Sequence, residues 1–406
     1  MRKATLTMIL AAGCVVLFAT PKAVGGGIEI PMQSARAAGQ ADAFTAQADD
    51  PSAIFYNPAG LTQLKGTQVS AGAFFLFPDF HYNGISGDQQ MTRPSVLPHL
   101  YAETDFGLER WRFGIGANNV FGLNEGYGNR GPLRTLVNKA QLSVINFAPA
   151  VAYKVDEHLS FGTAFNVYYG NLLLEKNAVV AAPPVPEGDF RLRGDAFSFG
   201  VTPGVTYKID SRNQLGAYYR SPFTLDFSGK SNLKVPGVGQ FGPSTTHESL
   251  HLPQSVGVGY STRLTHDLNV EADVIWTDWH SVDQLKLYSA DPHFNGQTIP
   301  ASWKSGFTYR LGAEYKLTDH WALRGGYAFS QNSVPESTYS PLVPDSNYHL
   351  FAVGGGYSTP TWSFDLAYQF IFRERRHIQN SVASPLVDGT WDNQIHGVLM
   401  TFTLKL

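Results

Sequence analysis

Residues 362–373 read WSFDLAYQFIFR, and the stretch alternates from end to end. Trp362, Phe364, Leu366, Tyr368, Phe370 and Phe372 hold the even positions, with Ser363, Asp365, Gln369 and Arg373 between them. In a β-strand successive side chains point to opposite faces, so one face here is large and apolar while the other is polar and charged. Lipid suits the first face and water the second, which is the situation of a strand in a transmembrane β-barrel.

The same reading repeats along the chain. Val270, Ala272, Val274 and Trp276 alternate with Asn269, Glu271, Asp273 and Thr277. Phe307, Tyr309, Leu311, Ala313 and Tyr315 alternate with Thr308, Arg310, Gly312, Glu314 and Lys316, and Trp321, Leu323, Tyr327 and Phe329 stand opposite Arg324 and Ser330. A soluble two-sheet protein would have to bury Glu271, Asp273, Arg310, Glu314 and Arg324 on one face, at a heavy desolvation cost. Short turns are expected at 105–110, 155–158, 210–213, 264–267, 318–320 and 358–361, flanked by the Tyr, Trp, Phe or Leu of an interfacial belt. Longer segments rich in Pro, Gly, Asn, Asp and Ser are expected as loops at about 80–95, 122–138, 172–193, 226–248, 286–302, 331–347 and 374–392. Six turns and seven loops connect fourteen antiparallel strands, an even number with both ends on the short-turn side. The last strand carries His396, Val398, Met400, Phe402, Leu404 and Leu406 on its outward face.

Composition agrees. Aromatics make up 13% of the 406 residues, with 40 glycines, one cysteine and a formal charge of −3, which disfavours a nucleic-acid partner. Met1, Arg2 and Lys3 precede an apolar run from Ala4 to Ala19 and small residues up to Gly25, the layout of a cleaved secretion signal over 1–25. Leu10 to Cys14 loosely mimics a lipoprotein cleavage box, but that cut would strand Val15 to Phe18 in the mature chain. Cleavage after Gly25 removes the only cysteine, Cys14. Beyond the signal no segment offers about 20 unbroken apolar residues, so strands are the only means of crossing a bilayer.

Between signal and barrel lies a different stretch, 34–64, SARAAGQADAFTAQADDPSAIFYNPAGLTQL. Asp50-Pro51 and Asn57-Pro58 each place a capping residue before a proline at the first helical position. Two short helices are expected, from Pro51 to about Tyr56 and from Pro58 to about Leu64.

With these residues in view the chain resembles the FadL family of outer-membrane channels for long-chain fatty acids and other hydrophobic compounds. The resemblance rests on Ala35-Arg36-Ala37, Gly39, Ala43-Phe44, Asp49-Asp50-Pro51-Ser52-Ala53 and above all Asn57-Pro58-Ala59-Gly60-Leu61, which match the family's N-terminal plug, the hatch. It implies a signal at 1–25, a hatch at 26–65 and a fourteen-stranded barrel at 66–406, in the outer membrane of a Gram-negative bacterium. It also implies a monomer that takes up fatty acids or aromatic hydrocarbons passively, with Asn57, Pro58 and Ala59 facing the ligand path. The family's third strand kinks inward to make a side window. Here that strand is Trp111 to Phe121 followed by Gly122, where Gly114, Gly116 and Gly122 supply backbone freedom and Asn118-Asn119 break the apolar alternation.

Across the turn at 318–320, Glu314 is expected to face Arg324, with Arg310 further up the lumen. Such charges serve either as a structural strut or, unpaired, as an anchor for a fatty-acid carboxylate. His247-Glu248-Ser249-Leu250-His251 spells the zinc motif HExxH, which needs a helix; on a strand residues four apart lie about 13 Å apart, too far for one metal. No nucleophile elbow is present, which disfavours an outer-membrane lipase, and a plug disfavours a general aqueous porin. The expectation is a non-enzymatic channel without metal or cofactor, partnered by outer-membrane lipid and apolar small molecules.

Overall fold

The computed structural model describes residues 27–406 except 86, 181–185, 290, 292–293, 297 and 383. The expected signal at 1–25 lies outside the described residues. Fourteen antiparallel strands close into one barrel. They are β1 Thr67–Gly84, β2 Ser95–Thr104, β3 Trp111–Glu125, β4 Lys139–Lys154, β5 Leu159–Ala178, β6 Gly188–Lys208, β7 Asn213–Arg220 continued by Phe223–Val235, and β8 Gly239–Leu252 continued by Ser255–Arg263. The ring continues with β9 Leu268–Thr277, β10 Gly306–Lys316, β11 Trp321–Ser330, β12 Tyr348–Ser358, β13 Trp362–Arg373 and β14 Gly389–Lys405. β14 pairs with β1 from Lys405 opposite Gln68 to Gly389 opposite Gly84, which seals the barrel and leaves no free edge there. Among the described residues no helix is long and apolar enough to cross a membrane.

The lipid face is where the alternation places it. Phe364, Leu366, Tyr368 and Phe372 of β13 are exposed, while Asp365 and Gln369 are buried in the lumen. Glu271, Asp273, Glu314 and Arg324 also face inward and are buried. The long segments differ from the expected loops. Those at 80–95, 172–193 and 226–248 are largely strand: β5 and β6 run 20 and 21 residues, and 223–235 pairs with 239–252. A tilted strand crosses a bilayer in about 9–11 residues, so these ladders continue into the extracellular space. There the outward face meets water, the aromatic half of the pattern disappears, and the ladder persists without its sequence signature.

Candidate functional site

Residues 27–64 fill the lumen near the short-turn end. They contain α1 Ala35–Ala38, α2 Ala53–Tyr56 and a 3₁₀ turn Pro58–Gln63. Ser34 caps α1, its hydroxyl accepting from the Ala37 N–H at 3.2 Å. Helix α2 begins at Ala53 rather than Pro51, because the Asp50 carboxylate accepts from the Ser52 N–H at 2.8 Å and closes a separate turn over Asp50-Pro51-Ser52. Asn57 caps the 3₁₀ turn, accepting from the Ala59 N–H at 3.3 Å.

Asn57 is fully buried, and its amide donates to Thr45 O at 2.8 Å and to Val205 O on β6 at 3.0 Å. Asn57, Pro58 and Ala59 therefore rest against β5 and β6; a Cβ on Gly162 would lie 2.5 Å from the Ala59 nitrogen. Asn57→Ala removes the cap and the side-chain donor to both carbonyls, at about 1–3 kcal/mol. The strand ladders are untouched. The variant is expected to give a folded, heat-modifiable barrel whose hatch is cut about tenfold faster in limited proteolysis.

Acidic side chains of the wall hold the hatch backbone. Asp273 accepts from Phe44 N at 3.0 Å, Thr45 N at 3.1 Å and Thr45 Oγ1 at 2.8 Å. Two residues along β9, Glu271 accepts from Ala46 N at 2.7 Å and Gln47 N at 2.8 Å. Arg310, across from Asp273, donates to Asp42 O at 2.9 Å. Glu314 lies directly across from Arg324, with Arg324 Nε 2.7 Å from Glu314 Oε2 and Nη1 2.7 Å from Asp365 Oδ1. Hatch Arg36 joins the same cluster, 3.0 Å from both Glu314 and Asp49.

The ladder between β2 and β3 is interrupted. β2 pairs with β3 only from Leu100 opposite Ala117 to Thr104 opposite Phe113. Above that, no pairing joins Ser95–His99 to β3 among the described residues. Pro98, which has no N–H to offer, lies in this unpaired half. On its other side β3 slips register against β4 between Asn119 and Phe121, leaving Val120 as a bulge. Residues 28–30 take the vacant edge: Ile30 N donates to Val120 O at 2.9 Å, Gly122 N donates to Ile28 O at 3.0 Å, and Glu29 forms an antiparallel bridge with Phe121. Asn118 Nδ2 donates to hatch Gln33 Oε1 at 2.8 Å. Gly114 and Gly116 lie within the paired section instead, making room for Ile54 of α2.

Two chambers adjoin this gap. The inner one, about 410 Å³, is bounded by Ile28 to Met32, by Val96, Asn119, Phe121 and Gly122 at the gap, and by Arg310, Tyr348 and Arg373 across the lumen. The outer one, about 110 Å³, shares Ile28, Leu123 and Leu142 with it and is lined mainly by Leu, Ile, Val and Trp side chains of the strand extensions and outer loops. Below the hatch the cavities are polar, with Asp49, Lys208, Asp210, Asp267 and Lys316 among their walls. Asn57, Pro58 and Ala59 line neither upper chamber.

His247 and His251 stand exposed on the outer face of β8, and Glu248 is buried on the inner face, as strand geometry requires. Glu248 belongs to the outer chamber, where burial pushes its carboxyl up to about 7 against the opposing hydrogen bond from the Lys286 N–H. Sequence reasoning had no means of finding the hatch anchors Glu271 and Asp273, because their partners are main-chain N–H groups. A detectable signal was the set of inward glycines on the neighbouring strands.

The sequence matches, over residues 16–406, the family described as outer membrane protein transport protein (OMPP1/FadL/TodX). A long-chain fatty acid transport protein of Salmonella typhi is 24% identical, the match covering 77% of this chain and 79% of that protein. Outer membrane protein P1 of Haemophilus influenzae is 24% identical over 82% of each chain. Among solved structures, a Pseudomonas aeruginosa FadL homologue superposes with a TM-score of 0.84 at 20% identity, covering 94% of this chain and all of that one. The toluene transporter TodX of P. putida superposes with a TM-score of 0.73 at 20% identity, covering 88% of this chain and 94% of that one. A closed fourteen-stranded barrel of the Gram-negative outer membrane, matched along nearly its whole length, this chain belongs to the OMPP1/FadL/TodX family of outer-membrane transport proteins.

Proposed function

We propose that this chain is a passive, monomeric channel that takes fatty acids or aromatic hydrocarbons from outside the cell into the outer membrane. Ligand enters the outer chamber, passes to the inner one, and leaves sideways between β2 and β3 when residues 27–32 move off the edge of β3. On this reading residues 1–25 are a removed signal, 26–65 the hatch and 66–406 the barrel; no enzymatic step, nucleotide or metal takes part. The driving force is the ligand's preference for the apolar bilayer over water. The names of the Salmonella relative and of TodX support the ligand classes. The observation that carries the route is the gap itself: the 410 Å³ chamber abuts strand edges that lack each other as partners and are covered by residues 28–30.

A reversible staple tests it. Glu29 and Phe121 form a bridge flanked by both hydrogen bonds, a pair type whose Cα atoms lie about 4.5 Å apart, within disulfide range. The double variant Glu29→Cys, Phe121→Cys is expected to lose at least tenfold in fatty-acid uptake when oxidised and to recover on reduction. Equal uptake in both redox states would remove the lateral route.

A further inference from the structure

On the outward face of β4 to β8, the lipid-facing band gives way to charge. Its outermost apolar row has Phe197 of β6 opposite Tyr169 of β5, ring centroids 4.9 Å apart, with Phe197 66% exposed. Two residues further out stand Asn171, Asp195 and Ser228, and two beyond these Arg193 of β6 lies directly opposite Lys230 of β7, both exposed. The Cβ atoms of such a pair are about 4.5–5.5 Å apart, and like charges there repel. Their other cross-strand neighbours are neutral, Leu173 on β5 and Thr245 on β8, and neither cation has an ion pair or a side-chain hydrogen bond among the described residues. Nearby acids are engaged elsewhere: Glu175 lies 3.0 Å from Arg191, Asp189 faces Lys234, and Asp226 accepts from Ser249 Oγ at 2.6 Å. Asp195, in the row below, is paired with neither cation.

We infer that Arg193 and Lys230 together hold a phosphate of lipid A, the phosphorylated glycolipid anchor of the outer leaflet, while its acyl chains lie along the exposed Phe165, Phe197 and Phe199 below. An anion shared between the two side chains turns their mutual repulsion into two attractions, the guanidinium offering parallel N–H groups and the ammonium a point charge. The height fits. Arg193 is four residues beyond Phe197, about 13 Å along the strand and about 10 Å along the membrane normal at a tilt of about 40°. The polar layer outside the hydrocarbon is about 5–7 Å deep, and long basic side chains lean along their own strand to place the charge within it. Continuity with the apolar band decides for a lipid, because a soluble acidic partner has no use for exposed phenylalanines immediately beneath its site. The assignment rests on the outer-membrane barrel and is independent of what the channel carries.

The experiment is native mass spectrometry of the full barrel in detergent, titrated with lipid A and with the same lipid stripped of its phosphates. The wild type is expected to bind lipid A at least tenfold more tightly than the stripped form. Arg193→Gln with Lys230→Gln should lose at least tenfold for lipid A and nothing for the stripped lipid, whereas the exchange Arg193→Lys with Lys230→Arg should stay within threefold of wild type. Arg375→Gln removes an exposed cation beyond the end of β13, on the far side of the ring, and should change neither affinity. All these side chains stand outside the backbone ladder, so each variant should run as a heat-modifiable barrel. Undiminished lipid A binding in the double glutamine variant, or an equal loss in Arg375→Gln, would overturn the assignment, the second by showing that surface charge anywhere on the rim serves as well.

Discussion

Replacing Asp273 with Asn and Glu271 with Gln together is expected to open the barrel to hydrophilic solutes while leaving its strands assembled. The two carboxylates accept five hydrogen bonds from residues 44–47, four of them from main-chain N–H groups. An amide in place of each carboxyl turns one of its two oxygens into a donor facing hatch N–H groups, so the pair of substitutions forfeits on the order of 1 kcal/mol per bond. Five such losses come to roughly 5 kcal/mol, close to the ~5.5 kcal/mol that turns a 99:1 equilibrium into 1:99. No strand pairing depends on these side chains, because the β8–β9–β10 ladder is made by the backbone. The measurements are single-channel conductance in planar bilayers, uptake of a hydrophilic antibiotic, and heat-modifiability on a gel. A tight, non-conducting double variant would mean the hatch is held by its packing and not by these hydrogen bonds.

How far the sequence could be read follows from which solvent each residue meets. On β9 to β13 the outward residues face lipid, so Tyr309, Leu311, Leu323 and Leu366 had to be large and apolar, and strand, register and facing were all legible. Above the membrane both faces of the β7–β8 hairpin are wet or capped by loops, and its 12 register pairs left no pattern to find. The gap was half legible. Gly114, Gly116 and Asn118-Asn119 drew attention to β3, yet Gly114 and Gly116 sit in intact ladder, and the interruption lies at Val120 and in the unpaired half of β2. Pairing is a property of two segments, and one strand's composition reports only its own share. Glu314 and Arg324 could be placed across a short turn by counting, whereas the third member, Arg36, arrives from nearly 280 residues away.

The glycines of the wall carry the second large prediction. Gly162, Gly204, Gly216, Gly259, Gly312, Gly326 and Gly354 lie on seven different strands, each the fourth to sixth residue from its strand's short-turn end. All seven abut the hatch: a Cβ on Gly216 would lie 2.6 Å from Ala46 Cα, and one on Gly326 would lie 2.7 Å from Ala41 N, where 3.4 Å is ordinary contact. They form a belt with no side chains, which allows the hatch backbone to reach the carboxylates and carbonyls of the wall. At Gly326 every close neighbour is hatch backbone, so Gly326→Leu must displace the hatch at Gln40 and Ala41. The next residue, Gly325, points outward and meets nothing nearer than Ala352 O at 3.9 Å. Both substitutions replace a poor strand former with a better one, so neither should harm the barrel. Gly326→Leu is therefore expected to raise antibiotic uptake at least tenfold, to the level of a chain lacking residues 26–45, and Gly325→Leu to leave it unchanged. Equal permeability of the two variants would mean that the hatch yields without losing its seal, and the belt would then be a packing convenience with no part in closure.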